Sequence, residues 1–244
     1  MIFKRKVLYK GESPYGKYKV VDTSYDGRKA RVLFGDRWSP QSGVALDDNP
    51  ELLFDYNQRF LEIIMSRTPA RLLVIGGGAF MLPTAVFHRF PDTVIDVVEI
   101  DPLLVQLSKD FFDLPDDERM RVHVDDGAAF VACSSQRYDM IILDAFSGYT
   151  IPHHLLEREA IKEYKRHLTA DGVIAINFIS EYKPTRARLA HELIGSFGEL
   201  FANLSLSQTD SEYGPNDEQN LLLVAGNRPF HFEYLQSREL DIYQ

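Results

Sequence analysis

One cysteine, Cys133, is all the thiol chemistry in 244 residues. An intramolecular disulfide is thereby excluded, and an inert buried thiol in a reducing compartment is expected. No apolar run approaches the roughly 20 residues that span a bilayer. Met1 to Lys10 carries Lys4, Arg5 and Lys6 without the apolar stretch of a signal peptide, so a cytoplasmic protein with no membrane partner is the expectation. Basic residues are outnumbered, 27 Lys and Arg against 36 Asp and Glu, for a net charge of −9. No Lys/Arg stripe interrupts that excess, and a phosphate backbone would be repelled, which argues against nucleic acid as a partner. No metal site is expected, because His153 and His154 are adjacent and no other His or Cys stands at ligand spacing. A surface or capping role suits that pair. Ser147 lacks the flanking glycines of a hydrolase nucleophile, since Ala145 and Tyr149 occupy those places.

What is present is ordinary globular material, 45% apolar and 26% charged, enough for one sizeable α/β core and a small appended unit. Residues 1–48 read as a β-strand unit, with β-formers at 7–8, 18–23 and 31–34 between the turn signals Ser13-Pro14, Asp26-Gly27 and Gly35-Asp36. Asn49-Pro50 offers an N-cap with proline at the first helical position. Leu53, Phe54, Phe60, Leu61 and Ile64 then recur at helical spacing, which predicts a helix over about 50–66 within a linker spanning 49–68. From residue 69 to 244 short apolar runs at 72–75, 94–100, 120–124, 138–143 and 173–178 alternate with helical stretches, the sequence form of a doubly wound parallel sheet. After a helix near 185–198, β-rich stretches at 203–207 and 220–225 are joined too briefly for a helical crossover, so they pair antiparallel.

Chemistry-bearing residues fall at the ends of these strands. The first run closes on Gly76-Gly77-Gly78, where the backbone can approach a ligand at a helix N-terminus. Glu99-Ile100-Asp101 closes the second; Asp101 reads as the N-cap of the helix opening at Pro102, which leaves Glu99 to accept from ribose hydroxyls. The third ends in Asp125-Asp126-Gly127. Asp126 there can accept from an adenine amino group or cap the following helix, and Gly127 leaves room for a ring. Asp144 ends the fourth, placed to orient a nucleophile or take its proton, or else to stabilise a turn. The glycine spacing lacks the GxGxxG form, which with the closing hairpin disfavours a nicotinamide oxidoreductase.

With these residues in place, the chain resembles the spermidine synthase, or polyamine aminopropyltransferase, family over nearly its whole length. The likeness is carried by Gly35-Asp36 and Gln41-Ser42, by Ile75-Gly76-Gly77-Gly78, Val98-Glu99-Ile100-Asp101 and Asp126-Gly127, by Tyr138-Asp139 through Asp144, and by Asp144-Ala145-Phe146-Ser147-Gly148 with Ile151-Pro152-His153-His154-Leu155-Leu156. The resemblance implies a Rossmann-like α/β fold of the S-adenosylmethionine-dependent methyltransferase type, with residues 69–244 as the nucleoside-binding catalytic domain. It implies that Gln41 contacts the donor tail, Glu99 the ribose, Asp126 the adenine and Asp144 the reacting amine. The donor would be decarboxylated S-adenosylmethionine or S-adenosylmethionine, with methylthioadenosine or S-adenosylhomocysteine as product. The acceptor would be a small-molecule amine or other nucleophile, and a homodimer is expected because the family often forms one.

Three positions depart from the polyamine enzymes. Ala79 follows the triple glycine where they carry an aspartate, Ser147 stands near their second loop aspartate, and Phe54 falls at their acceptor-binding tyrosine. Desolvating the two charges of a diamine without facing carboxylates is costly, so a putrescine site is not expected to survive. Transfer of an aminopropyl or other alkyl group by direct displacement is the preferred reading. A methyltransferase and a catalytically silent nucleoside-binding protein are the alternatives.

Overall fold

The structure, a computed structural model, describes residues 5–36, 39–47, 52–183, 185–232 and 240. An antiparallel sheet comes first, with strands in chain order: β1 Lys6–Ser13, β2 Gly16–Tyr25, β3 Arg28–Phe34 and β4 Pro40–Ala45. Its last strand, unforeseen in the sequence, contains Pro40 and Gly43, both weak strand formers. A register shift between Leu33 and Phe34, which pair with Ser42 and Pro40, leaves Gln41 as the extra residue of a bulge.

Helix α1 runs Asp55–Arg67, about five residues later than the spacing predicts. Leu52 is the reason: it stays extended, bridges to Val44, and its carbonyl accepts from Gln58 Nε2 at 2.9 Å. Asn49 and Pro50, the expected cap, lie outside the described residues. Burial of Phe60, Ile63 and Ile64 holds the helix, and no side chain caps its start.

The second sheet has seven strands in the order β10-β11-β9-β8-β5-β6-β7. Five are parallel: β5 Arg71–Ile75, β6 Val94–Glu99, β7 Met120–Val124, β8 Tyr138–Leu143 and β9 Leu168–Ser180. β10 Asn203–Gln208 and β11 Gln219–Gly226 close the sheet as an antiparallel pair. β9 begins at Leu168 rather than 173, because the chain pairs with Tyr138 before a register irregularity.

Alternate residues of each strand enter different cores, which is why the central runs are apolar throughout. Leu72, Val74, Met140 and Ile142 pack with Phe60, Val86 and Leu104, from α1, from α2 (Met81–Arg89) and from α3 (Pro102–Phe111). Leu73, Ile75, Ile141 and Leu143 pack with Val131, Ile161 and Phe197, from α4 (Gly127–Cys133), α5 (Arg158–His167) and α6 (Arg188–Gly198). Burying each such side chain contributes about 1.5 to 3 kcal/mol. Cys133, expected to be buried, is exposed at the end of the short helix α4, whose buried residues are Gly127 and Val131. No described helix is long and apolar enough to cross a membrane.

Candidate active site

The chain moves outward from β5 to β6 and β7 on one side, then returns to β8 and β9 on the other. The carboxyl ends of β5 and β8 therefore diverge into a crevice at the point where strand order reverses. Gly76–Gly78 leave β5 there, and Asp144 leaves β8. The two segments touch: Asp144 N–H donates to the Ile75 carbonyl at 2.9 Å. Gly76 has φ +95, and a Cβ on it would lie 2.4 Å from the Asp144 carbonyl oxygen. Glycine is required there on both counts.

Glu99 ends β6 at 6% exposure, with its carboxylate turned into the glycine loop. One oxygen accepts from Gly77 N–H at 2.8 Å and Gly78 N–H at 3.1 Å, and the other accepts from Asp101 N–H at 2.9 Å. Burial pushes the Glu99 carboxyl above its ordinary value, and these three donors act in the opposite sense. Glu99 thus shapes the loop that the sequence pictured beside it. Asp101 caps α3 by accepting from Leu103 N–H at 2.9 Å and also accepts from the Ser13 hydroxyl, which docks the first sheet on this edge.

Asp144 lies at the floor of the crevice. The residue as a whole is half-buried. Burial raises its carboxyl to about 7, against a bond from Asn177 Nδ2 to its Oδ1 at 2.9 Å that favours the charged form. Asn177 is 1% exposed, and its own Oδ1 has no partner among the described residues. Tyr56 stands close enough for the charge of Asp144 to act on its hydroxyl; burial first and that charge second raise the phenol's pKa. The same hydroxyl donates to the Gln41 carbonyl at 3.1 Å. The Gln41 side chain folds over Gly35, whose absent Cβ would fall 2.2 Å from Nε2. In the neighbouring position, Ser42 Cβ lies 3.8 Å from a Cβ placed on Gly78, so β4 borders the glycine loop.

Asp126 lies beyond Glu99, after β7. Its Oδ1 accepts from Ala129 N–H at 2.9 Å, capping α4, and its Oδ2 meets His154 Nε2 at 2.7 Å. Burial pushes this carboxyl up, but the Ala129 and His154 bonds outweigh it and hold it below the ordinary Asp value. Gly127 packs closely on β5: it is buried, and a Cβ there would sit 2.4 Å from Ile75 Cγ2. Of the three departures, Ala79 is buried at 1%. Ser147 lies in a tight turn bridged to Thr150. Phe54 packs between Tyr25 and Tyr56, with ring centroids at 5.2 and 6.0 Å.

Sequence reasoning did not single out Tyr56 or Asn177 and gave His154 only a surface or capping role; it also passed over two apolar side chains left out in solvent at the ends of β6 and β7, Ile100 at 40% and Val124 at 55% exposure. An Asn inside the otherwise apolar run of β9 was the one legible signal, since a buried amide needs partners.

Residues 51–201 match the family model described as "Spermine/spermidine synthase domain". This chain belongs to the spermine/spermidine synthase family. Within it, the polyamine aminopropyltransferase of Vibrio vulnificus is 36% identical over 124 residues, 50% of this chain and 42% of that protein. The eEF1A lysine and N-terminal methyltransferase of Homo sapiens is 34% identical over 150 residues, 57% of this chain and 20% of that protein. The chain thus spans less than half the length of either relative. A probable spermidine synthase from Corynebacterium glutamicum superposes with a TM-score of 0.79 at 22% identity, covering 91% of this chain and 81% of that one, which establishes the shared fold.

Proposed function

We propose that this member of the family transfers an aminopropyl group from decarboxylated S-adenosylmethionine to an amine. The observation that carries the reading is Asp144, a carboxyl raised to about 7 at the switch point of the sheet, backed by Asn177 and bordered by the glycine loop. The residues fit an adenosyl group. Glu99 retains acceptor capacity beyond its three backbone donors, Gly78 is open to close approach, and Ile100 and Val124 offer apolar surface to a base. In this reading Gln41 meets the donor tail, the glycines and Glu99 the ribose, and Asp126 the adenine.

The donor supplies a carbon bonded to a sulfonium, so that sulfur leaves as a neutral thioether when a nucleophile displaces it. Asp144 does the protein's part. An acceptor arriving as an ammonium has no lone pair to attack with, and a carboxylate near neutrality takes its proton. Asn177 holds that carboxylate in one orientation, and the crevice aligns amine and carbon for displacement. Residues 1–48 act as the unit closing the tail end, 49–68 as the link and 69–244 as the catalytic domain. A cytoplasmic location and a homodimer belong to the same proposal.

Methyl transfer from S-adenosylmethionine is the second reading. Ala79 and Ser147 favour it, because they leave the acceptor end without the carboxylates a diamine needs. Incubating the protein with each donor and a panel of mono- and diamines tests both. Release of methylthioadenosine supports aminopropyl transfer, S-adenosylhomocysteine supports methylation, and binding of NAD to the exclusion of both donors overturns the site.

A further inference from the structure

We propose that His154 is a positioning residue that sets base specificity, holding the Asp126 carboxylate as the acceptor for an exocyclic amino group so that the crevice takes 6-aminopurine nucleosides and refuses 6-oxopurine ones. The inference rests on the adenosyl reading of the site and adds to it a residue which that reading does not use.

The loop after β8 returns to the nucleoside end of the crevice through the turn His153–Leu155. That turn is anchored from below. Leu155 is 3% exposed, its carbonyl accepts from the buried Tyr164 hydroxyl at 3.0 Å, and its Cδ2 lies 3.3 Å from where a Cβ on Gly127 would stand. With the backbone so held, two adjacent histidines take different directions. His153 turns outward to Glu157, its side chain 91% exposed, while His154 brings Nε2 to 2.7 Å from Asp126 Oδ2.

Asp126 is therefore gripped by two elements that are distant in sequence, the α4 backbone at one oxygen and the β8 loop at the other. Two donors on two oxygens fix the plane of the carboxylate. Each oxygen keeps a lone pair, and an ionised carboxylate can only accept. A base presenting an amino group meets a preset acceptor, whereas one presenting a carbonyl meets oxygen against oxygen. Position agrees with this role: Val124 pairs with Glu99 across β7 and β6. A ribose at Glu99 thus directs its base toward the strand end that carries Asp126, over the exposed apolar side chains of Ile100 and Val124.

The experiment is calorimetric titration of the full chain with methylthioadenosine and with methylthioinosine, for the parent, His154→Leu, His154→Gln and Asp126→Asn. The parent should prefer the amino nucleoside by roughly 10- to 100-fold, the worth of one hydrogen bond to a charged group. His154→Leu should shrink that ratio to within a few-fold, and His154→Gln, which keeps a donor at similar reach, should restore most of it. Asp126→Asn retains a good helix cap and should abolish or invert the preference, which keeps the test decisive if the leucine variant folds poorly. A merely structural histidine would weaken both nucleosides in proportion, so an unchanged ratio in a folded His154→Leu overturns the proposal, as does an unchanged ratio in Asp126→Asn. Equal binding of both nucleosides by the parent overturns it while sparing the donor reading. Binding of neither overturns the two together.

Discussion

Replacing Asp144 by Asn should make the protein more stable above neutral pH while abolishing turnover. The carboxyl moves from 3.8 to about 7 in the folded protein, so the folded state holds a proton that the unfolded chain has released. Below about pH 4 both states are protonated and Asp144 imposes no penalty. Between 4 and 7 only the unfolded state ionises, and stability falls as pH rises; above 7 both states are ionised and the loss is complete. At about 1.36 kcal/mol per pH unit the displacement corresponds to roughly 4 kcal/mol, and solvent reaching the cleft reduces this to about 2 to 4 kcal/mol. Asn at 144 removes the charge and keeps an oxygen for Asn177 Nδ2. It also adds an N–H₂ donor near a residue whose own Oδ1 has no partner among the described residues. Urea denaturation of parent and variant at pH 4, 6 and 8 isolates the effect, because every other titrating group cancels in the difference. The stability gap should open from near zero at pH 4 to its full size at pH 8, in favour of the variant. A gap that does not change with pH, or a variant less stable at pH 8, refutes both the burial of the charge and the poised carboxyl built on it.

Glu99→Ala strips the acceptor from three backbone N–H groups. It should lower stability by about 2 to 4 kcal/mol in urea and weaken methylthioadenosine by at least tenfold in calorimetry; parent-like values in both would remove Glu99 from the site. Gly76→Ala should cost more than about 2 kcal/mol, since its Cβ meets the Asp144 carbonyl and its φ is left-handed, and a loss under 1 kcal/mol would contradict the β5–β8 contact. Gly127→Ala should cost about 1 to 3 kcal/mol by crowding Ile75 yet leave nucleoside affinity within about threefold. A selective loss of affinity would return Gly127 to the base pocket.

Periodicity was enough to read the sheet and its antiparallel close, because a strand buried on both faces must be apolar throughout and its polar residues collect where the chain leaves the core. The family was legible for the same reason: Gly76–Gly78, Glu99, Asp126 and Asp144 stand at four such exits. Which atoms those side chains face was decided by tertiary structure alone. Glu99 turned back onto the glycine loop because two backbone N–H groups there needed an acceptor, and its other oxygen took the N–H of Asp101. Gly127 answered to Ile75, 52 positions earlier in the chain, and α1 began late because Leu52 was drawn into a bridge with Val44. Tyr56, Asn177 and His154 reach the crevice from α1, β9 and a turn whose directions follow from packing. Local sequence carries the period of burial, but partners brought together across dozens of residues become visible only once the chain has closed on itself.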